Sequence, residues 1–175
     1  MLRYSELTLT VFSRLQIIIF KMLRLTVSDS WQTNYVNEHM VQCNLQFLGH
    51  RRYDWVTVLD DKFDNSKARE GSGCRYKFYN VQMMFKYKHE DNVLSLAYLR
   101  FCQCLGQDED IGMWIVQNTD KYEILPISDI VRNVHMVPFF DSPTMLIDNE
   151  FEDVYSFDMY LVNCFSDRFA FGKFS

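Results

Sequence analysis

Polar and apolar residues alternate along much of the chain, and this alternation predicts β-strands. Successive side chains of a strand point to opposite faces, so a half-buried strand has a period of two residues. Leu7–Phe12 follows this pattern, with Leu, Thr, Leu, Thr and Val in turn. Gln16–Val27 predicts one long strand or two short ones, and the β-branched and aromatic run Trp55–Leu59 predicts another.

The middle of the chain predicts a β-hairpin. Arg75–Lys88 and Val93–Cys104 are rich in aromatic and aliphatic residues, and the short polar segment HEDN joins them. Alternation divides Arg75–Lys88 into two faces, one of which has the greater share of apolar side chains. We expect that face to lie on the core, with Lys77, Tyr79, Val81, Met83, Phe85 and Tyr87.

The later segments indicate further short elements. Met113–Val116 predicts a strand. Ile127–Val137 is compatible with a strand throughout, but Ser128 is a candidate helix cap, and we favour a turn of helix at Asp129–Asn133. The periodicity of Val154–Phe165 does not decide between helix and strand.

Strands separated by short turns predict a fold class that is mainly β. We expect a small, partly open β-barrel or a sandwich with one or two short helices, and an α+β fold is the alternative. The 175 residues are enough for one domain with a hydrophobic core and marginal for two. The expected organisation is a strand-forming extension at residues 1–24, followed by a single β-rich domain at residues 25–171.

Composition and charge narrow the class of partner. Hydrophobic residues make up 48% of the chain and aromatic residues 16%, which is typical of a folded protein. The net charge of −5 lowers the expectation of nucleic-acid binding, because such a surface must neutralise phosphates. Residues 7–27 are apolar, but Arg14, Gln16, Lys21 and Arg24 interrupt them, so we expect no membrane span. Five cysteines without a CxxC pair predict reduced thiols and an intracellular protein, nuclear or cytoplasmic.

Cysteine and histidine side chains are one group of candidate metal ligands. Cys102 and Cys104 would point the same way on a strand, and His89, His135 or Cys43 could complete a site. No spacing requires such a site. Buried thiols that pack as small hydrophobic side chains are the favoured interpretation.

Two acidic loops offer carboxylates for calcium or for a two-metal nuclease centre. Neither has the spacing of an EF-hand, and the long helices of an integrase-like nuclease are not predicted, so solvated turns are the favoured interpretation. The chain also contains no phosphate-binding loop or nucleophile motif. We therefore expect no catalytic residue, metal, cofactor or enzyme activity. The carboxylates are Asp60, Asp61 and Asp64 in the first loop and Asp108, Glu109 and Asp110 in the second.

Basic and aromatic residues are interleaved in the segment RYKFYNVQMMFKYK. A surface of this kind can stack nucleic-acid bases. Strands with lysines at the edge and aromatic side chains in the core are the more common arrangement. The candidate binding residues are His50, Arg51, Arg75, Lys77, Lys86 and Lys88, and a nucleic-acid site would also use Arg52.

The stretch CNLQFLGHRRYDWVTV places three charges and a histidine in an apolar run. Gly49 predicts a turn, after which Tyr53 enters a strand. Arg52 and Asp54 are two residues apart, so on a strand they share a face and can pair. Asp54 can also accept backbone N–H groups that fix the preceding turn. A structural role is therefore favoured over a binding role.

This stretch and four later phrases together resemble the C-terminal segment of proteins encoded by fungal DNA transposons of the Plavaka type. CNLQFLGHRRYDWVTV is similar to their pattern C-N-P-x-F-H-G-x-x-R-Y-D-x-V-x-V. Leu45 and Leu48 depart from this pattern, which has Pro and His there. Within residues 25–171 the match continues in the same order with VQMMFKYKHEDNVLSLAYLRFC, DEDIGMWIV, PISDIVRNVHMVPFF and VYSFDMYLVNCFSDRFAF.

The resemblance implies a non-catalytic accessory domain, because the catalytic acidic residues of such transposon proteins lie upstream of this segment. It implies a small barrel-like module that binds a protein partner or a chromatin component, from a domesticated or fragmentary transposon copy. A nucleic-acid-binding module is the first alternative, and a metal-dependent enzyme is the less expected one. Structural roles are expected for the residues shared with the pattern: Gly49, Arg52, Asp54, Gly112, His135, Pro138 and Asp158.

Overall fold

Strands make up nearly all of the described chain. The computed structural model describes residues 6–12, 15–28, 36–47, 50–61, 75–139 and 157–163. These ranges hold twelve strands and one turn of 3-10 helix. In chain order the elements are β1 (Glu6–Phe12), β2 (Leu15–Phe20), β3 (Met22–Ser28), β4 (Val36–Phe47), β5 (His50–Tyr53), β6 (Trp55–Leu59), β7 (Tyr76–His89), β8 (Asn92–Gln107), β9 (Trp114–Pro126), the 3-10 turn (Ile127–Asp129), β10 (Ile130–Val134), β11 (Met136–Pro138) and β12 (Met159–Val162).

The described strands form two antiparallel sheets that are not closed. The larger sheet has nine strands. Its main order is β1-β2-β7-β8-β9-β12-β11, and β10 joins it through β6, which pairs with β7. The smaller sheet has the order β3-β4-β5. The prediction of a mainly β fold is confirmed, in a sandwich-like form.

Three long neighbouring strands, β7, β8 and β9, give the larger sheet two different halves. Tyr76–Asn80 of β7 align with β6, whereas Met84–His89 align with β2. On the β6 side, β10 and β11 lie at opposite ends of the sheet, although only His135 separates them along the chain. That half therefore curls toward itself, and we call it the curled half. The open half consists of β1 and β2 with residues 83–89, 92–98 and 122–126 of the long strands.

Two hydrophobic clusters lie on opposite sides of the larger sheet. The first lies within the curled half and includes Trp55, Phe78 and Tyr160. The second brings Leu23 of β3 and Val41 of β4 against β6, β7 and β8. Complete burial of such a side chain stabilises the fold by about 1.5–3 kcal/mol. Because Leu23 and Val41 pack against β6, β7 and β8, the smaller sheet covers one side of the larger sheet.

A β-bulge changes which residues of β7 are buried. The register shifts between Val81 and Met83, so that Gln82 is an extra residue opposite β8. One extra residue reverses the alternation beyond it. Met84 is consequently fully buried, whereas Met83 is 38% exposed. The prediction that Met83 lies on the core is therefore wrong, and so is the assignment of Phe85 and Tyr87 to the same face as Tyr79 and Val81.

The helical turn lies earlier than the sequence predicts. The 3-10 turn covers Ile127–Asp129, and β10 begins at Ile130. The predicted turn at Asp129–Asn133 is therefore wrong in position. Residues 130–134 alternate between buried and half-buried side chains, which is the period of a strand, and pairing with β6 satisfies their backbone. Among the described residues, no helix is long and apolar enough to cross a membrane.

Other predicted strands coincide with observed ones. Trp55–Leu59 forms β6, and Gln16–Val27 contains two strands with Lys21 between them. The predicted hairpin is the β7–β8 pair. β3 runs across residue 24, the expected end of the N-terminal extension, and Phe20 and Leu23 both belong to the second cluster. The N-terminal strands thus pack into the same core as the later ones.

Alanine variants of Met84 and Met83 test the position of the bulge. Met84→Ala removes a fully buried side chain, so we expect the free energy of unfolding to fall by about 2–5 kcal/mol. Met83→Ala is the matched control, with an expected change of about 0.5 kcal/mol or less. Urea denaturation followed by tryptophan fluorescence measures both. Equal losses in the two variants would contradict the bulged register.

Candidate functional site

Asp54 holds the corner at which the chain passes from the smaller sheet to the larger one. It lies between the end of β5 and the start of β6. Its carboxylate accepts a hydrogen bond from the Gln42 backbone N–H at 2.8 Å and one from Arg52 Nε at 3.1 Å. Its backbone N–H donates to the Gln42 carbonyl, and its carbonyl accepts from the Val81 N–H, both at 2.9 Å. One residue thus joins β4, β5 and β7.

A chain of hydrogen bonds beside this corner also connects the two sheets. Cys43 Sγ donates to the Gln82 carbonyl at 2.7 Å. The Gln82 side-chain amide donates to Asn80 Oδ1, and Asn80 Nδ2 donates to the Tyr53 carbonyl at 3.1 Å. Burial, with a smaller contribution from Asp54, raises the pKa of the Cys43 thiol to about 12. The thiol therefore keeps its proton at neutral pH, and this region acts as a structural joint.

Four of the candidate binding residues lie along β7 in two separate pairs. Arg75 and Lys77 are at its beginning, and Lys86 and Lys88 are near its end. Nine residues of extended chain, from position 77 to position 86, span about 30 Å. The structure therefore does not bring these residues together as one basic patch. Arg51 is exposed on β5.

Two of these lysines contact neighbouring side chains. Lys77 Nζ lies 3.2 Å from Asp60 Oδ1. Lys86 Nζ lies 5.4 Å from the centroid of the Phe20 ring, within the range of a cation–π interaction. His50 is described only by its backbone in β5, and Gly49 lies outside the described residues. The candidate basic residues thus do not share one environment, since Lys77 lies beside a carboxylate and Lys86 over an aromatic ring.

The acidic segment after β8 is a hydrogen-bonded turn. Asp108 Oδ1 accepts from the backbone N–H of Asp110 at 3.0 Å and of Ile111 at 3.1 Å. The N–H of Gly112 donates to the Asp108 carbonyl at 2.8 Å. Gly112 has a φ of 67°, a conformation that glycine adopts without steric cost. The Asp108 carboxylate therefore stabilises the local turn.

Three further residues with predicted structural roles, His135, Pro138 and Asp158, lie around β11 and β12. The His135 carbonyl accepts from the Asn163 N–H at 2.9 Å. The Asp158 carbonyl accepts from the Asn118 N–H at 2.8 Å. Pro138 is the last residue of β11 and aligns with β12. These contacts attach β12 to its neighbours on both sides.

Cys102 is a buried thiol of the first cluster. Its Sγ donates to Asn118 Oδ1 at 3.4 Å, and burial raises its pKa to about 12. Burial also raises the pKa of Cys104. The described ranges contain no group of three or more histidine, cysteine, aspartate or glutamate residues that could hold a metal ion. Asp64 lies outside those ranges.

The open half has an apolar, aromatic face that the sequence analysis did not identify. It lies on the side away from β3 and β4, and the cross-strand register arranges it in three rows. We call it the open face. Its rows are Ile17, Tyr87 and Leu94; Ile19, Phe85, Leu96 and Pro126; and Met83, Tyr98 and Ile124; Tyr122 lies beside the third row.

The two sides of the open half differ in exposure. Behind the open face, Met84 and Ala97 are fully buried in the second cluster, and Val93 at the margin is 53% exposed. The open face itself is only partly covered. Its most exposed side chains are Met83 at 38%, Leu94 at 53%, Tyr122 at 44% and Ile124 at 58%.

The open face is broad and carries no charged side chain in its rows. From backbone to backbone, the three rows span about 13 Å along the strands and the four strands about 14 Å across them, or roughly 200 Å². Exposed apolar patches rimmed by polar residues can mark interaction sites. The Tyr98 and Tyr122 rings stack with centroids 5.3 Å apart. At the rim, Arg100 Nε donates to the Thr119 carbonyl at 2.6 Å, and Arg100 Nη2 lies 3.4 Å from Asp120 Oδ1. The arrangement is suited to apolar contact rather than to chemistry.

The sequence contains a signal for this face. Residues 93–99 of β8 read VLSLAYL, so both sides of that strand are apolar. A strand with two apolar sides is typical of one that is covered on both. Among the described residues, the smaller sheet covers one side of β8, and the other side forms the open face.

No protein-family model, curated protein sequence or solved structure matches the chain.

Replacement of Asp54 tests its role at the corner. Asp54→Asn removes a charged acceptor of two hydrogen bonds, so we expect the free energy of unfolding to fall by about 1.5–3 kcal/mol. Asp61→Asn changes the same charge at an exposed position beyond the far end of β6, with an expected change of about 0.5 kcal/mol or less. Urea denaturation compares the two. A loss of stability no greater for Asp54→Asn than for Asp61→Asn would contradict the stabilising role of the Asp54 carboxylate at this corner.

The buried Cys102 thiol predicts a loss of stability at alkaline pH. The ordinary thiol pKa is 9.0 and the folded value is about 12. Between these values the unfolded chain loses the proton while the folded protein retains it. The free energy of unfolding should therefore fall by about 1.4 kcal/mol per pH unit for this thiol. Urea denaturation from pH 8 to pH 11 should give Cys102→Ala a shallower slope than the wild type. Identical slopes for the two proteins would disprove the raised pKa of the Cys102 thiol in the folded protein.

Proposed function

We propose that the protein is a non-catalytic interaction module that binds a protein partner on the open face. The observation that carries the proposal is the contrast between the two sides of the open half. One side buries Met84 and Ala97 and exposes Val93 at its margin, whereas the other exposes four large apolar side chains, Met83, Leu94, Tyr122 and Ile124. Burial of apolar surface contributes about 25 cal/mol per Å², so a complementary surface gains by covering these side chains. Tyrosine is also among the residues enriched in protein interfaces.

The chemistry of the open face favours a flat, apolar protein surface as its occupant. Its rows contain no lysine or arginine, whereas a nucleic acid requires cations that neutralise its phosphates. The net charge of −5 also disfavours a nucleic acid as the occupant. The candidate basic residues on β7 lie in two pairs about 30 Å apart, which is a poor arrangement for a continuous phosphate track. A sheet or helix face with few charges fits better.

The transposon resemblance gives this module a context within the proposal. In such proteins the tail segment would contribute contacts to an assembly whose chemistry lies elsewhere. The partner would then be a protein of that assembly or a chromatin component, in the nucleus or cytoplasm. The open face supports binding whether or not this ancestry is correct.

Site-specific photocrosslinking tests the proposed face. A photoreactive phenylalanine analogue replaces Ile124 in the full chain, expressed in its source cells. The matched control carries the same analogue at Leu105, which is 49% exposed but lies in the curled half. We expect the probe at position 124 to crosslink one defined protein and the probe at position 105 not to do so.

The affinity of the purified partner provides the second measurement. Leu94→Glu places a charge in the open face, and we expect it to weaken binding about 30-fold or more, as at an interface hot spot. Leu105→Glu is the matched control and should leave the affinity unchanged. Equal crosslinking at positions 124 and 105, or unchanged affinity in Leu94→Glu, would overturn the proposal.

A further inference from the structure

The second half of β9 is an open edge of the larger sheet. On one side β9 aligns with β8 at residues 114–118 and 122–126, with a register shift between these two stretches. On the other side β12 aligns with it only at residues 115–117. After Asn118, whose N–H donates to the Asp158 carbonyl, no strand in the described ranges pairs with the outer side of β9. Residues 120–124 are all exposed. Such an edge presents N–H and C=O groups that can pair with another strand.

Apolar and charged side chains alternate along this edge. Tyr122 and Ile124 lie on the open face. Glu123 lies on the opposite side, where the Tyr79 hydroxyl donates to its Oε2 at 2.9 Å. Alternation along the strand places Lys121 on the same side as Glu123, and the Lys121 N–H donates to Thr119 Oγ1 at 3.2 Å. Since a carboxylate has two acceptor oxygens, Glu123 Oε1 is available for a second contact. The edge therefore presents a positive and a negative charge two residues apart on one side.

This charge pattern is self-complementary in one antiparallel register. When Tyr122 lies opposite Tyr122 of a second copy, Lys121 lies opposite Glu123 of that copy, and the same contact occurs twice. If the pairing is instead centred on Lys121, each Lys121 lies opposite the other, and if it is centred on Glu123, each Glu123 lies opposite the other. Opposite charges across two strands stabilise their pairing, and like charges destabilise it. The charges thus favour one register in which the edge pairs with the same edge of a second copy.

We propose that the protein forms a homodimer in which two β9 strands pair antiparallel about a two-fold axis at Tyr122. Addition of a strand to a sheet edge is a common mode of recognition, and a two-fold axis uses the same residues on both copies. Because this axis is perpendicular to the sheet, both open faces lie on the same side. The dimer therefore presents one continuous apolar surface of twice the width.

This inference goes beyond the proposed function, because it depends on a backbone edge and two charges rather than on the open face. Charges at strand edges usually prevent pairing with arbitrary strands. Here their alternation in sign leaves one favourable pairing, which is with a second copy. A specific dimer is therefore expected rather than open-ended aggregation.

Charge-swap variants of the full chain test the dimer by sedimentation equilibrium. Lys121→Glu places like charges at both contacts, and so does Glu123→Lys. We expect each variant to raise the dimer dissociation constant about tenfold or more. An equimolar mixture of the two variants regains opposite charges in a heterodimer, and the double variant regains them in a homodimer. Both should dissociate with constants close to that of the wild type.

Three further variants act as controls. Tyr79→Phe removes the hydrogen bond to Glu123 without a change of charge. Lys88→Glu changes the net charge as Lys121→Glu does, at an exposed position of β7. Leu94→Glu changes the open face, so it should weaken partner binding but not dimerisation. Each control should shift the dimer dissociation constant by about twofold or less.

Three results would overturn the proposed dimer. The first is a wild-type protein that stays monomeric up to about 1 mM. The second is a dissociation constant that the single charge reversals leave unchanged. The third is a mixture of the two single variants that associates no more tightly than each variant alone. Because Leu94→Glu separates the two surfaces, failure of the dimer would leave the proposed partner binding intact.

Discussion

The hydrogen bonds of Asp54 determine where the smaller sheet lies, and much of the molecule depends on that position. A half-buried carboxylate must find donors, and the Gln42 N–H and Arg52 supply them. The backbone of the same residue is bonded to Gln42 on β4 and to Val81 on β7. Because these contacts converge at one corner, β4 is fixed against β7, and β3 follows β4 over one side of the larger sheet.

The uneven cover of the larger sheet connects the fold to the proposed function. The outer part of β8 is apolar on both sides, and the smaller sheet buries one of them. Met84 and Leu99 are therefore in the core, while Leu94 and Ile124 are exposed on the other side. The strand that ends this surface, β9, also has an unpaired edge within the described chain. Apolar surface and open edge together make this part of the molecule suited to binding.

The strands were predictable from sequence because alternation is a local property, and β6 and the β7–β8 hairpin coincide with their predicted segments. The bulge at Gln82 was not, because it depends on contacts from another sheet, including the Cys43 thiol. The pairing of Arg52 with Asp54 follows from their spacing of two residues in extended chain. The open face could be suspected from residues 93–99, but the sequence does not say which apolar side the smaller sheet covers. The basic candidates were close in sequence, yet an extended strand separates Lys77 from Lys86 by about 30 Å.

The most direct test of this account is the exposure of methyl groups on the two sides of the open half. A water-soluble paramagnetic probe added to dilute, methyl-labelled protein broadens the NMR signals of methyl groups that water can reach. The account predicts strong broadening for Leu94 and Ile124 and little for Met84 and Ala97, which are fully buried. Similar protection of all four residues would contradict it, because the open face would then already be covered within the protein itself.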